Sequence, residues 1–329
     1  MVTGGAGYIG AHTSLLLAER GDHVVVVDDL ATGSAARVPD LEVVRIDLAG
    51  AGAREAVAAV LRQHEIDAVV HFAARKQVGE SVDKPAWYYQ QNIGGLANLV
   101  LAMEDAGVGR LVFSSSAAVY GHTDGATDES HETSPVSPYG ATKLAGEQLL
   151  AACAGAWGLN SASLRYFNVG GAGRPELGDT EALNLIPIVF DHLASGRRPP
   201  IFGDDYPTPD GTCVRDYVHV VDVAEAHLAV LDSLGSAAGH RAFNVGTGVG
   251  TSVLAMITRI IELTDSPLRP IVLARRPGDP ASAVAVVDLI REQTGWSARF
   301  GIDEIVGSAW ESRQYFRRTA AESGQRARP

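Results

Sequence analysis

Cysteine is almost missing: Cys153 and Cys213 are the two in 329 residues. Two thiols in so long a chain build no disulfide framework and fit a reducing compartment, so cytoplasmic residence is expected. Basic residues are short as well, 27 Lys plus Arg against 39 Asp plus Glu, for a net charge of -12. A nucleic-acid surface needs the opposite balance, because phosphate backbones draw Lys/Arg-rich faces, so no such partner is expected. No apolar run reaches the roughly 18 residues of a membrane span, and the start lacks a basic segment followed by an apolar stretch, so no membrane partner is expected. The ten histidines and two cysteines show no metal-ligand spacing, and no metal site is expected. Met1–Thr3 alone precede the first glycine loop, where a strand of about five or six residues is usual. A start further upstream, or a trimmed chain, is therefore expected.

What is abundant is apolar residues, at 46%, and glycine, at 36 residues. The first supports a full globular core, and the second suits tight turns and close approach to a ligand. Short apolar runs at Val24–Val27, Val43–Ile46, Ala68–Phe72, Leu111–Phe113 and Ser163–Phe167 read as buried strands. Helical patterns lie between them, at Ile9–Glu19, Arg54–His64, Ala86–Glu104 and Tyr139–Ala154. This βαβ rhythm predicts an α/β fold with a doubly wound parallel (Rossmann) sheet. After Asn168 the rhythm breaks into glycine- and proline-rich loops, short strands at Val214–Val220 and Ala242–Val245, and helices at Val221–Leu234, Ser252–Leu263 and Ile302–Phe316. We expect residues 1–167 to form the dinucleotide domain, with 214–245 returning to it. Residues 168–213 and 246–316 would form a smaller, interleaved α/β lobe, and 317–329 a frayed tail.

Three motifs carry chemistry. Thr3-Gly4-Gly5-Ala6-Gly7-Tyr8-Ile9-Gly10 turns from strand into helix, where glycines let a pyrophosphate approach the backbone and the helix start supplies amides and partial positive charge. Asp28 closes the next strand, 18 positions after Gly10. An acidic residue there suits the adenosine ribose hydroxyls and repels a 2′-phosphate, which favours NAD over NADP. Asp47, after the third strand, is placed to meet an adenine edge, although an ordinary surface aspartate fits as well. The strand around Leu111 ends in Ser114, Ser115 and Ser116, at the end of a parallel strand that faces the ligand crevice. Ser137-Pro138 then reads as an N-cap followed by proline at the first helical position, which puts Tyr139 and Lys143 in the opening turns of a helix. Four residues apart, they share a face. There an ammonium favours a phenolate, lowering the tyrosine from its usual value near ~10, and a phenolate beside an alcohol can take its proton as hydride leaves.

With these residues in place the chain resembles the extended short-chain dehydrogenase/reductase superfamily and, within it, the UDP-glucose 4-epimerases. The resemblance runs from Val2 to about Trp310 through TGGAGYIG at 3–10, VGESV at 78–82, SSSAAVYG at 114–121, SPYGATK at 137–143, LRYFN at 164–168, GTCVRDYVHV at 211–220 and RRPGD at 275–279. It implies a tightly held NAD bound by Gly4, Gly7, Tyr8, Ile9, Gly10, Asp28, Asp29, Asp47, Leu48, Phe72, Ala73, Lys76, Ser114, Tyr139, Lys143 and Tyr166. It implies Tyr139 as catalytic base, Lys143 on the nicotinamide ribose, and Ser116 on the sugar O4, with Lys76 and Tyr166 bordering nicotinamide and sugar. Asn168, Asn184, Leu185, Arg215, Arg276 and Asp279 would hold the uridine diphosphate, with Phe202 near the uracil. The implied reaction is reversible inversion at C4 of a UDP-hexose through a 4-keto sugar, in a homodimer joined through the helices Ala86–Glu104 and Tyr139–Ala154.

Two positions depart from the pattern. Ala118 stands where some members carry a threonine that contacts the sugar, and Ala283 falls where a bulky tyrosine restricts some epimerases to plain hexoses. A small residue at Ala283 implies acceptance of N-acetyl sugars. A UDP-glucuronate 4-epimerase or decarboxylase stays open as an alternative because Arg75 sits beside Lys76 and could meet a carboxylate. A non-catalytic NAD-sensing module is disfavoured by the intact Ser116, Tyr139 and Lys143.

Overall fold

The computed structural model describes residues 1–326 except Ala182, Ser236 and Pro277, together with all their side chains save those of Asp124 and 322–326. In chain order the strands are β1 (Val2–Thr3), β2 (Val25–Asp28), β3 (Glu42–Arg45), β4 (Val69–His71), β5 (Arg110–Ser116), β6 (Asp124–Thr127) and β7 (Asn160–Tyr166). They continue with β8 (Asn168–Gly170), β9 (Pro200–Phe202), β10 (Val214–His219), β11 (Gly239–Val245), β12 (Gly250–Ser252), β13 (Ile271–Leu273) and β14 (Ser282–Ala285).

Seven of them form one parallel sheet in the order β11-β7-β5-β4-β1-β2-β3. Valine runs make its centre because both faces are covered: Val25 and Val27 pack into one apolar cluster, and Val26, between them, into the other. The strand order reverses between β4 and β1, which opens a crevice at their carboxyl ends. The glycine loop stands there because its geometry admits nothing larger. A Cβ on Gly10 would lie 2.1 Å from the Gly4 carbonyl oxygen, and one on Gly4, at φ +68°, 2.6 Å from the Ala73 nitrogen.

The second lobe is built on β12-β10-β14-β6, with β8 also paired to β10 and a separate β9–β13 pair. Its core gathers Ile186, Phe190, Tyr217, Ile257, Ile260 and Ile305. The lobes interleave: β6 comes from the first half of the chain to pair with β14, and β11 returns to the main sheet. The expectation that all of 214–245 returns there is corrected, because β10 belongs to the second sheet. Arg215 and Asp216 pair across to β12 instead.

The structure adds helices at Val78–Asp83, Leu185–Ala194 and Asp288–Thr294 that the sequence reading did not place, and two of the expected helices differ in extent. The segment expected at Ala86–Glu104 starts at Pro85 and ends at Ala106, with a π turn over Gln90–Gly94. The last helix runs from Ile302 to Arg326, where the sequence reading frays the chain after Phe316. Helix-forming Arg317, Arg318, Ala320 and Ala321 follow Phe316, and no proline or glycine interrupts the chain before Gly324, near the helix end.

Candidate active site

The helix Tyr8–Arg20 starts at Gly7 with no side-chain cap, and Tyr8, Ile9 and Gly10 of its first turn line the crevice. A helix start of this kind is an anion site. Asp28, at the tip of β2, is buried and accepts the amides of Ala6 at 3.0 Å and Leu30 at 2.9 Å. Burial raises its carboxyl above the ordinary value, and the two amides partly offset that. Asp47 and Leu48 close the same end, where Asp47 Oδ1 accepts the Ala49 amide at 2.9 Å.

At the other end the helix Pro138–Trp157 supplies Tyr139 and Lys143. Its start is as the sequence implies: Ser137 Oγ accepts the Gly140 amide at 3.2 Å and Pro138 holds the first position. Lys143 is buried and donates from Nζ to the Ser114 carbonyl at 2.6 Å, with Nζ 5.9 Å from the Tyr139 ring centroid. Burial lowers its ammonium to about 7, while Glu147, one turn further on, acts to raise it. Tyr139 departs from the expected direction. Burial pushes its phenol above the usual value, the Ser116 hydroxyl partly opposes this, and Lys143 is not among the groups that lower it. The reason is geometric, since the Lys143 ammonium is turned to a strand carbonyl rather than to the phenol.

Tyr166, at the end of β7, faces the same space and bonds His227 Nε2 through its hydroxyl at 2.7 Å. His227 Nδ1 lies 2.8 Å from the Val223 carbonyl, so it carries the proton and Nε2 accepts from Tyr166. Burial depresses the imidazole to about 4 and raises the Tyr166 phenol well above its ordinary range, so both stay neutral.

Every residue expected to touch the cofactor lines this one crevice of about 190 Å³. Thr32, Gly33, Ala74 and Gln91 line it too and were missed by the sequence reading, and so does Arg75, which that reading set beside the substrate instead. Arg75, the cation that left a uronate substrate open, is engaged: Nη2 lies 2.5 Å from Asp29 Oδ2 and 3.1 Å from Gln91 Oε1. Of the expected substrate residues, Lys76 and Tyr139 line the same crevice, Ser116 at the end of β5 accepts the Ala118 amide at 3.2 Å, and the rest divide into two groups. Arg215 Nη2 lies 3.7 Å from Asp279 Oδ1, Arg276 stacks 3.7 Å above the Phe202 ring, and Ala283 pairs with Arg215 across β14 and β10. Asn168, Asn184 and Leu185 instead line a second cavity of about 330 Å³, with Tyr217 on its wall. Tyr217 could have been found from its place two positions beyond Arg215 on the same strand face. Among the described residues no three His, Cys, Asp or Glu side chains gather as a metal site, and both cysteines are free.

Residues 1–246 match the model of the NAD dependent epimerase/dehydratase family. The chain belongs to that family. Within this family of epimerases and dehydratases it is 44% identical over 321 residues to a UDP-glucose 4-epimerase of Azospirillum brasilense, covering 94% of this chain and 91% of that protein. The crystal structure of UDP-glucose-4-epimerase from Stenotrophomonas maltophila, with bound NAD and formylated UDP-arabinopyranose, superposes with a TM-score of 0.91 at 41% identity over 97% of this chain and 98% of that one. The UDP-Glc/GlcNAc 4-epimerase of Campylobacter jejuni gives 0.83 at 34% identity, over 95% and 98%. The geometry fits the cofactor this epimerase family is named for: an uncapped helix start, glycines whose Cβ atoms would fill the loop, and a buried acid at the tip of β2.

Proposed function

We propose that this protein interconverts UDP-galactose and UDP-glucose by reversible 4-epimerisation, with NAD held in the β4/β1 crevice throughout. The observation that carries the reading is the meeting of Tyr139, Lys143 and Tyr166 at one end of a crevice whose other end is closed by Asp28 and Asp47. Bound NAD supplies the acceptor and donor of hydride at the sugar C4, together with a positively charged ring. Tyr139 takes the proton of the 4-hydroxyl and later returns one, and Ser116 holds O4. Burial keeps the Tyr139 phenol protonated at rest, so its working form depends on the positive charge brought beside it, from Lys143 and the oxidised ring. Lys143 is tied to β5 and so keeps its ammonium at a constant distance from that phenol.

Arg215, Arg276 and Asp279, with Phe202 beside them, form the platform for the uridine diphosphate, and Asn168, Asn184 and Leu185 of the same lobe complete it from the neighbouring cavity. Firm diphosphate contacts with an adaptable sugar pocket allow the keto sugar to turn its other face. Ala283 leaves room at the pocket wall, so UDP-N-acetylglucosamine and UDP-N-acetylgalactosamine are accepted as well. The protein works as a homodimer in the cytoplasm, joined through the helices expected at Ala86–Glu104 and Tyr139–Ala154. Tyr89 and Leu101 are exposed at 44% and 39%, which supports a covered face there. No described helix is long and apolar enough to cross a membrane.

The test is incubation of the purified protein with UDP-galactose and no added NAD, followed by chromatography of the sugar nucleotides. UDP-glucose at a constant ratio, with no free NADH, is the expected result. No conversion of plain or N-acetyl sugars, even with NAD added, sinks the reading.

A further inference from the structure

Arg75 stands on the loop after β4, between the two ends of the crevice, and three elements converge on it. Its Nη2 reaches Asp29, just beyond β2, at 2.5 Å. Its Nε and Nη2 donate to Gln91 Oε1 at 3.2 and 3.1 Å. Its backbone N–H and carbonyl are both held by the Asn92 side chain, at 2.7 and 3.0 Å. Gln91 and Asn92 lie in the π turn, and Asn92 is buried and also bonds Thr142 on the catalytic helix at 3.0 Å. Asp29, Arg75 and Gln91 all line the crevice, so the guanidinium spans it from the tip of β2 to the π turn.

We propose that Arg75 is a cofactor-retaining clasp, a bar across the adenosine half of the crevice that must break before NAD can leave. A guanidinium suits the task because its rigid planar fork presents several donors in fixed directions, to a carboxylate on one side and an amide oxygen on the other, where an ammonium is a rotatable point charge. Both partners are half-buried rather than exposed, at side-chain exposures of 21% and 28%, so the pair escapes full solvent screening. The neighbouring Lys76 carries no comparable bar on this side. It pairs instead with Glu181 of the second lobe, at 3.0 Å.

The test follows NAD itself. Holoenzyme is loaded with NAD, freed of excess by gel filtration, and diluted into a system that consumes free NAD, so that the release rate is read directly. Arg75→Leu is expected to release NAD at least tenfold faster than the parent. Arg75→Lys should be intermediate, because it reaches Asp29 but drops Gln91. Glu181→Gln, which removes the ion-pair partner of Lys76 alone, should stay within twofold of the parent. Gln91→Leu, expected to accelerate release about threefold, keeps the idea testable if Arg75→Leu does not fold. Release from Arg75→Leu within twofold of the parent overturns the clasp, as does equal acceleration by Glu181→Gln. A parent protein that binds no NAD overturns the cofactor site as well, which separates the two failures.

Discussion

Glu147 receives the Ser115 hydroxyl at 2.5 Å, and this one bond ties the helix that carries Tyr139 and Lys143 to the strand that carries the serines. The same carboxylate is held by Arg165 of β7 at 3.0 and 2.6 Å, and Arg165 in turn donates to the Tyr120 hydroxyl at 2.9 Å. All four side chains are buried. Glu147→Gln leaves the Arg165 charge buried without its partner, which costs roughly 3–5 kcal/mol. A thermal melt of the cofactor-free variant checks this, and an unchanged midpoint refutes it.

Tyr139→Phe removes the proposed proton-transfer group and leaves the ring that lies beside Lys143. We expect kcat to fall by about 10²–10⁴, with NAD content unchanged after purification. Loss of NAD together with activity would instead make the hydroxyl a cofactor ligand.

Lys143 makes stability depend on pH. Its folded value is about 7 against an ordinary 10.5, so between those values the unfolded chain holds the extra proton. On this group alone stability therefore rises as pH climbs from about 7 to about 10, and the burden of a buried ammonium is fully present below pH 7. Cofactor-free Lys143→Met is expected to lose that rise, faring best against the parent at pH 6 and worst at pH 10. Unfolding midpoints in urea at the two pH values decide it; parallel shifts count against the assignment.

Gly10→Ala places a Cβ 2.1 Å from the Gly4 carbonyl oxygen, a contact that only backbone movement relieves. The glycine loop must then open. We expect weaker NAD binding by at least tenfold and a lower melting temperature in the same variant, measured by titration calorimetry and calorimetric scanning. Normal affinity would mean that the loop relaxes without disturbing the site.

Ala283→Tyr puts a large ring beside Arg215, its register partner across β14 and β10, where the proposed pocket wall lies. N-acetyl sugar turnover should fall at least tenfold, while UDP-galactose turnover changes less than threefold. Unchanged N-acetyl turnover would remove Ala283 from the specificity argument.

The cofactor half of the site was legible because its signals are local. The glycines of 4–10 are forced by contacts within a few residues of each other, and Tyr139 and Lys143 share a helix face by spacing alone. Asp28 could be placed because a strand ends there. What stayed hidden depends on distant pairings. β6 meets β14 across about 150 residues, and nothing in Asp124–Thr127 announces it. Arg75 looked like a spare cation because its partners come from the tip of β2 and from a π turn that no periodicity marks. The direction of the Tyr139 shift was missed for a similar reason: spacing sets the face that Lys143 shares with it, and only the fold shows its ammonium turned to Ser114.

The π turn at Gln90–Gly94 has an arithmetic consequence. It is one residue too many for an α-helix, and each residue is worth about 100° of rotation about the axis. Deleting one position there would leave the apolar face after Gly95 in phase with the sheet and swing everything before it by that angle. Gln91 and Asn92 would leave Arg75. The extra residue acts as a phase shifter, letting a single rod keep two surfaces in register that no uninterrupted helix could serve together.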